Sequence, residues 1–140
     1  MDDSCGQGVG VFNEINMGTV AFDSPGDSVI SVVVPMYNEE ENIGAFLNAL
    51  YDVIKQLTYN FEVILIDDGS SDNTWAEIVR HCNIFNNLCG LSLSKNFGHQ
   101  NALFAGLHHA KGVAVISMDG DLQHPPASII DLINKWEDGF

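Results

Sequence analysis

VISVVVP, residues 29–35, is the stretch that decides the fold. Apart from Ser31 and Pro35, every residue in it is Val or Ile, and these β-branched residues favour strands. Because the apolar residues are consecutive and do not alternate with polar ones, we expect a strand buried on both faces, as in parallel sheets. The proline is expected to end the strand.

An amphipathic helix is predicted directly after this strand. Asn38 with Glu41 three residues later matches a capping box, in which two side chains bond the first N–H groups of a helix. The apolar residues that follow at helical spacing are Ile43, Phe46, Leu47, Leu50 and Ile54. The chain therefore begins its ordered part with a strand and then a helix.

The same unit occurs three more times. Its strands are predicted at FEVILID (61–67), LCGLSLS (88–94) and VAVISM (113–118). Its helices are predicted by the stripe Trp75, Ile78, Val79 and Cys82, over about 100–110, and in a last helix that Pro125 and Pro126 open, because proline suits the first turn of a helix. Strands alternating with helices of this length predict an α/β fold, a parallel sheet with helices on both faces and right-handed crossovers.

Residues 1–27 and residues 28–140 differ in character. The first segment mixes glycine, acids and scattered apolar residues without a period, and we interpret it as a loosely ordered N-terminal arm. It lacks the basic start and apolar core of a secretory signal, and no apolar run approaches the ~20 residues that span a bilayer. We therefore expect one cytoplasmic domain over residues 28–140.

The charge balance of the whole chain restricts its partners. Asp and Glu number 19 against 5 Lys and Arg, which gives a formal net charge of −14 at pH 7. So acidic a surface repels phosphate backbones, and we expect no nucleic-acid partner. A phosphorylated ligand would need a cation to accompany it.

Polar clusters follow all four predicted strands. They are Tyr37-Asn38-Glu39, Asp67-Asp68-Gly69, Lys95-Asn96 and Asp119-Gly120-Asp121. Ligands of open parallel sheets bind outside the carboxyl ends of the strands, and these ends share one edge. The convergence of four separate stretches predicts a binding site at this edge.

Asp119 and Asp121 predict a metal site. Two carboxylates held together repel each other unless a proton or a cation lies between them, and Gly120 is expected to allow the turn that brings them together. Their oxygens, with the carbonyl oxygen of the Gln123 side chain, suit Mg²⁺ or Mn²⁺. The alternative is a solvated acidic turn.

The other clusters each have a functional and a structural interpretation. Asp68 is placed to accept hydrogen bonds from a nucleobase or ribose, or DDGSSD (67–72) is a turn that caps the next helix. Tyr37 is expected to pack on a base while Glu39 accepts a ribose hydroxyl, or this stretch is an acidic helix N-terminus. Lys95, with backbone N–H groups before the next helix, predicts an anion site.

The histidines carry no predicted function. His99, His108, His109 and His124 lack metal-ligand spacing, and we expect them at the surface or in packing.

Four stretches together resemble family-2 glycosyltransferases of the GT-A fold, in particular the dolichol-phosphate mannose synthase and bactoprenol glucosyltransferase branch. They are PMYNEEENI (35–43), IDDGSSDNTW (66–75), SLSKNFGHQNALFAGL (92–107) and ISMDGDLQHPP (116–126). The resemblance covers residues 29 to about 138. It implies inverting, metal-dependent transfer of a hexose from a UDP- or GDP-sugar to a polyprenyl or dolichyl phosphate.

The resemblance also implies roles for individual residues. Pro35, Tyr37, Glu39 and Asp68 would hold the donor nucleoside, and Asp67 would be mainly structural. The catalytic pair Asp119 and Asp121 would bind, with Gln123, the metal and through it the diphosphate. The family usually has D-A-D where this chain has Asp119-Gly120-Asp121.

In the family the acceptor-binding part follows the metal motif, so we expect this chain to be the donor-binding half of a protein that works at the cytoplasmic face of a membrane.

Three alternatives stay open. One is a phosphatase of the haloacid-dehalogenase type with Asp119 as nucleophile. The others are a non-catalytic nucleotide-binding module and a family-2 transferase with a soluble or polysaccharide acceptor.

Overall fold

A computed structural model describes residues 28–121 and 125–139. The elements are β1 (Val29–Met36), α1 (Ile43–Ile54), β2 (Asn60–Asp67), α2 (Thr74–Cys82), β3 (Leu88–Ser92), α3 (His99–His109), β4 (Ala114–Ser117) and α4 (Ser128–Glu137). All four predicted strand–helix units are therefore present. The predictions for residues 1–27, Gln123 and His124 lie outside the described residues.

The four strands form one parallel sheet in the order β3-β2-β1-β4. The chain moves outward from β1 through β2 to β3, and then returns to place β4 on the other side of β1. The strand order thus reverses between β1 and β4. In open parallel sheets this reversal opens a crevice at the carboxyl ends of the strands, where ligands bind.

Helices cover both faces of the sheet, as predicted. One face packs on α1, α2 and α4 through a core that includes Ile30, Val32, Val34, Phe46, Leu65, Ile78 and Ile129. The other face packs on α3 through Val33, Ile64, Ile66, Leu91 and Ala102. Val33 and Val34 are both fully buried although they point to opposite faces. The consecutive apolar residues of β1 are explained by this double burial.

Helices cover β4 less completely than they cover β1 and β2. Val113 and Val115 are 43% and 41% exposed, and α3 packs against β1 and β2. In the described part of the chain, no helix is both long enough and apolar enough to span a membrane.

Two predicted boundaries at the end of β1 are wrong. The strand continues past Pro35 to Met36, whose carbonyl oxygen accepts the N–H of Asp68 at 2.9 Å. The capping box is not formed, because α1 begins at Ile43 and Asn38 has a left-handed backbone, with φ of 53°. Asn38 bonds the loop after β2 instead, as described below.

The last helix also begins differently from the prediction. Pro125 and Pro126 lie in a turn before α4, where their carbonyl oxygens accept the N–H groups of Ser128 and Ile129 at 3.0 Å each. The prolines therefore precede the helix and do not form its first turn.

Candidate functional site

The loops after β1 and β2 are joined by hydrogen bonds through Asn38. Its N–H donates to Ser70 Oγ at 2.9 Å, and its side-chain Oδ1 accepts the N–H of Ser71 at 2.9 Å. The left-handed backbone of Asn38 is a conformation that Asn tolerates better than most residues. These bonds hold Tyr37 beside the loop after β2, with its side chain 46% exposed at the sheet edge.

A second set of bonds joins the same loops through Asp72 and Thr74. The N–H of Glu39 donates to Thr74 Oγ1 at 2.9 Å, and that of Glu40 donates to Asp72 Oδ2 at 3.4 Å. Desolvation acts to raise the pKa of Asp72, but hydrogen bonds donated by Thr74 and Glu40 outweigh it and the pKa is lowered. The Glu39 carboxylate accepts the amide of Asn42 at 2.7 Å, which orients it.

Asp67 and Asp68 are buried at the end of β2. Asp67 Oδ1 accepts the N–H of Ser70 at 3.1 Å. Burial raises the pKa of Asp67 despite the bonds from Ser70. A carboxylate enclosed by its own turn has a structural role, which agrees with what the family resemblance implies for Asp67.

Asp68 fixes the loop after β3. Its Oδ1 accepts the N–H of Phe97 at 2.9 Å and its Oδ2 that of Gly98 at 3.1 Å. Gly69 makes this close approach possible. A Cβ at Gly69 would lie 2.3 Å from backbone atoms of Lys95 and Asn96, and its φ of 66° favours glycine.

The anion site predicted from the N–H groups before α3 is wrong for Phe97 and Gly98. Both N–H groups point at Asp68 and are used there. Lys95 is exposed, with its ammonium 5.1 Å from the centre of the Phe97 ring.

A cleft of about 410 Å³ lies where the strand order reverses. Pro35 at the end of β1 and Asp119 after β4 are both in its wall, together with Met118, His99 and Leu103. The cleft thus brings together two of the residues predicted from the sequence. Pro35 was predicted to hold the nucleoside and Asp119 to bind the metal.

His99 is a site residue that the sequence interpretation missed. Its Nε2 lies 3.8 Å from Asp119 Oδ1, and the two side chains are 59% and 48% exposed. Sequence spacing cannot show this pair, because 20 positions separate the residues. The available signal was topological, since the N-terminus of α3 follows β3 at the same edge as the other clusters.

Gly120 has a different role from the predicted one. The residues with a positive φ in the described structure do not include it. A Cβ at Gly120 would instead lie 2.7 Å from Met36 Cε, so the residue is small because the loop packs on β1.

The residues fit a divalent cation by their chemistry. Within 28–121 and 125–139, no three His, Cys, Asp or Glu side chains are grouped closely enough to hold a metal ion. Divalent cations that carry nucleotides are usually held by one or two carboxylates plus phosphate oxygens, so a closed protein cage is not required. Asp119 and Asp121 provide two carboxylates one residue apart, and Gln123 lies outside the described residues.

The family model of glycosyl transferase family 2 matches residues 31–140. The chain belongs to this family. The resemblance seen in the four motifs is confirmed, and the haloacid-dehalogenase alternative is wrong.

Individual family-2 glycosyltransferases are similar to it. An undecaprenyl-phosphate 4-deoxy-4-formamido-L-arabinose transferase from Proteus mirabilis is 41% identical over 112 residues, covering 79% of this chain and 34% of that protein. The chain thus spans about a third of the length of the curated relatives it matches.

Two solved structures show the same fold. A mannosyltransferase from Pyrobaculum calidifontis in complex with GDP-Man and Mn²⁺ has a TM-score of 0.65 at 27% identity, covering 79% of this chain and 32% of that one. S. aureus TarS 1-349 in complex with UDP-GlcNAc has a TM-score of 0.62 at 27% identity, covering 78% and 31%. The predicted GT-A fold of this family-2 domain is confirmed.

Proposed function

We propose that this chain is the donor-binding part of an inverting, metal-dependent hexosyltransferase that uses a UDP- or GDP-sugar and a polyprenyl or dolichyl phosphate. The observation that carries the proposal is the cleft shared by Pro35 and Asp119 at the reversal of strand order. It is the place where a family-2 domain of this topology can hold a nucleotide at one end and its diphosphate at the other.

The nucleoside would lie over the loops after β1 and β2. Tyr37 offers an exposed ring for stacking. An ionised carboxylate has about four acceptor positions, and the two hydrogen bonds from Phe97 and Gly98 leave capacity on Asp68 for a base or ribose donor. Glu39 would accept from the ribose, and Lys95 would lie near the phosphates. Bound GDP-Man and UDP-GlcNAc in the two similar structures support a nucleotide-sugar donor.

The cation would be Mg²⁺ or Mn²⁺, held by Asp119, Asp121 and Gln123. When bound, it supplies positive charge that stabilises the nucleoside diphosphate as it leaves. The net charge of −14 makes such an escort necessary for a diphosphate. Mn²⁺ in the similar mannosyltransferase supports this assignment.

The acceptor would be a lipid phosphate. A phosphate monoester has a second pKa of about 6 and is largely dianionic at pH 7, so it can attack the anomeric carbon without a general base. The oxygen–carbon bond forms as the sugar–diphosphate bond breaks on the opposite face, which inverts the anomeric centre. The transferase from Proteus mirabilis, which is named for undecaprenyl phosphate, supports this acceptor class.

Acceptor recognition would come from the part of the longer relatives that this chain does not match, at the cytoplasmic face of a membrane. A soluble or polysaccharide acceptor is the competing candidate, because the match to the undecaprenyl-phosphate transferase covers only 34% of that protein. Turnover of a radiolabelled nucleotide sugar by the corresponding full-length protein, with polyprenyl phosphate or with soluble sugars, separates the two.

The test on this chain is a thermal-shift titration with UDP, GDP and their sugars, each with Mn²⁺ and with EDTA. At ten times its Kd, a ligand of the folded state stabilises it by about 1.4 kcal/mol, a shift of roughly 4 °C. We expect such a shift for one nucleotide, dependent on Mn²⁺, and its loss in Asp119→Asn. Asp138→Asn makes the same charge change at an exposed residue near the end of the chain and should behave as the unmodified chain. No shift at millimolar ligand contradicts donor binding by this chain.

A further inference from the structure

We propose that His99 gives the divalent cation a nitrogen ligand through Nε2, beside Asp119, and so makes the site favour Mn²⁺ over Mg²⁺. This inference rests on the proposed function and specifies which cation its donor site uses. The three ligands predicted from the motif, Asp119, Asp121 and Gln123, offer oxygen atoms alone, and these do not discriminate strongly between the two metals.

The distance between the two side chains supports a shared ligand. His99 Nε2 and Asp119 Oδ1 are 3.8 Å apart, which is too far for a hydrogen bond. Two metal–ligand bonds of about 2.1 Å each can span such a separation. Both side chains are about half exposed in the wall of one cleft, so a cation can reach them from solvent.

The position of His99 is fixed from the opposite side of the site. It is the first residue of α3, and the residues before it are held by Asp68 through the N–H groups of Phe97 and Gly98. Asp68 is itself buried at the end of β2. Asp68, which was predicted to hold the nucleoside, therefore sets where the imidazole lies relative to Asp119.

The chemistry of imidazole gives the expected selectivity. Mg²⁺ takes oxygen ligands almost exclusively, whereas transition-metal ions accept neutral imidazole nitrogen. A site built from carboxylates, phosphate oxygens and one histidine is consequently better for Mn²⁺ than a site with oxygen alone.

The test is Mn²⁺ binding followed by electron paramagnetic resonance, with UDP or GDP present. Electron spin echo modulation detects ¹⁴N bonded to Mn²⁺ and is independent of turnover. We expect ¹⁴N modulation in the unmodified chain and its loss in His99→Gln, with Mn²⁺ affinity about tenfold lower and Mg²⁺ affinity, from competition, unchanged within about twofold.

His108→Gln is the matched control, because His108 is exposed near the far end of the same helix. It should keep both the modulation and the affinity. His99→Asn is a second variant, and circular dichroism of each variant checks that it is folded.

The outcomes separate the two proposals. If the unmodified chain shows no nucleotide-dependent Mn²⁺ binding, the proposed function fails. If Mn²⁺ binds with nucleotide but shows no ¹⁴N modulation, and both His99 variants bind it equally well, the inference about His99 is overturned while the donor site stands. Binding that persists in Asp119→Asn means scattered carboxylate sites and overturns both.

Discussion

The loops after β1, β2 and β3 contrast with the loop after β4, although all four lie at one edge of the sheet. The first three are residues 37–42, 68–73 and 93–98, and we term them the laced loops. They are joined by hydrogen bonds that backbone N–H groups donate to the side-chain oxygens of Asn38, Asp68 and Asp72. The β4 loop (residues 118–121) meets its neighbours through Gly120 on Met36 and Asp119 near His99.

The difference shows how one residue type takes two roles. Asp67 and Asp68 are buried and accept backbone N–H groups, so they organise the loops before any ligand arrives. Asp119 is about half exposed and 3.8 Å from a histidine, so its charge is available to a ligand. We infer that the laced loops are preorganised for the nucleoside. The β4 loop would gain its remaining contacts when the cation and the diphosphate bind.

Substitution of Gly69, in the laced loops, is expected to cause the largest loss in the free energy of unfolding. In Gly69→Ala the methyl group would lie 2.3 Å from the backbone of Lys95 and Asn96, which cannot rotate away, and the residue keeps a left-handed φ. We expect the free energy of unfolding to fall by about 4 kcal/mol, measured by urea denaturation.

Gly98→Ala separates the two causes in that prediction. Gly98 also has a positive φ, but a Cβ there meets nothing within 4 Å. It should lose only the backbone contribution of about 1–3 kcal/mol. Equal losses in both variants would show that the loops after β2 and β3 are not packed as tightly as described.

Asp68→Ala tests the bonds that join the same two loops. It leaves the N–H groups of Phe97 and Gly98 without their acceptor, and we expect a loss of about 2–3 kcal/mol in urea denaturation. Asp68→Asn keeps one acceptor oxygen and should lose about half as much. If Asp68→Ala is as stable as the unmodified chain, Asp68 does not hold the loop.

Gly120→Ala is the same glycine-to-alanine change as Gly69→Ala, made in the β4 loop. Its methyl group would meet Met36 Cε, the far end of a flexible side chain, which can move. We expect a loss of about 1 kcal/mol, well below that of Gly69→Ala. The double variant with Met36→Leu, which lacks Cε, should show positive coupling in a double-mutant cycle. A loss as large as in Gly69→Ala would show that the β4 loop is as rigid as the laced loops.

Asp67→Asn should change the free energy of unfolding least, and should raise it where the other variants lower it. The amide oxygen can still accept the N–H of Ser70, and the buried charge is removed. Burial raises the folded pKa of Asp67, so the unmodified chain loses stability as pH rises through that pKa. The variant should gain nothing below about pH 4, where the carboxyl is protonated, and should be more stable than the unmodified chain at neutral pH. A pH-independent loss in thermal unfolding would show that the carboxylate itself is needed.

Most of the architecture was predictable because the spacing of apolar residues along the chain indicates which faces of each strand and helix are buried. VISVVVP gave a strand buried on both faces, and Val33 and Val34 are both fully buried. The stripes of α1 and α2 likewise place Phe46 and Ile78 in the core. The edge at which the polar clusters meet followed from parallel topology alone.

The predictions that failed depend on partners distant in sequence. Asn38 looks like a helix cap, but Ser70 and Ser71 are available in the folded chain and compete for it. The N–H groups of Phe97 and Gly98 look available to an anion until Asp68 is placed beside them. His99 has no local pattern that marks it, and only its distance to Asp119 reveals it.

The most direct test of the account is a ¹H–¹⁵N NMR titration of the 140-residue chain with UDP or GDP, first with EDTA and then with Mn²⁺. We predict that nucleotide changes the amide signals of residues 37–42 and 68–73 only after Mn²⁺ is added, and that Mn²⁺ then broadens most strongly those of residues 98–100 and 118–121. Signals of α2 residues near Arg80, away from the site, should keep their width. Broadening spread over the acidic surface, with no nucleotide-dependent shift in the laced loops, would contradict a donor site at this edge.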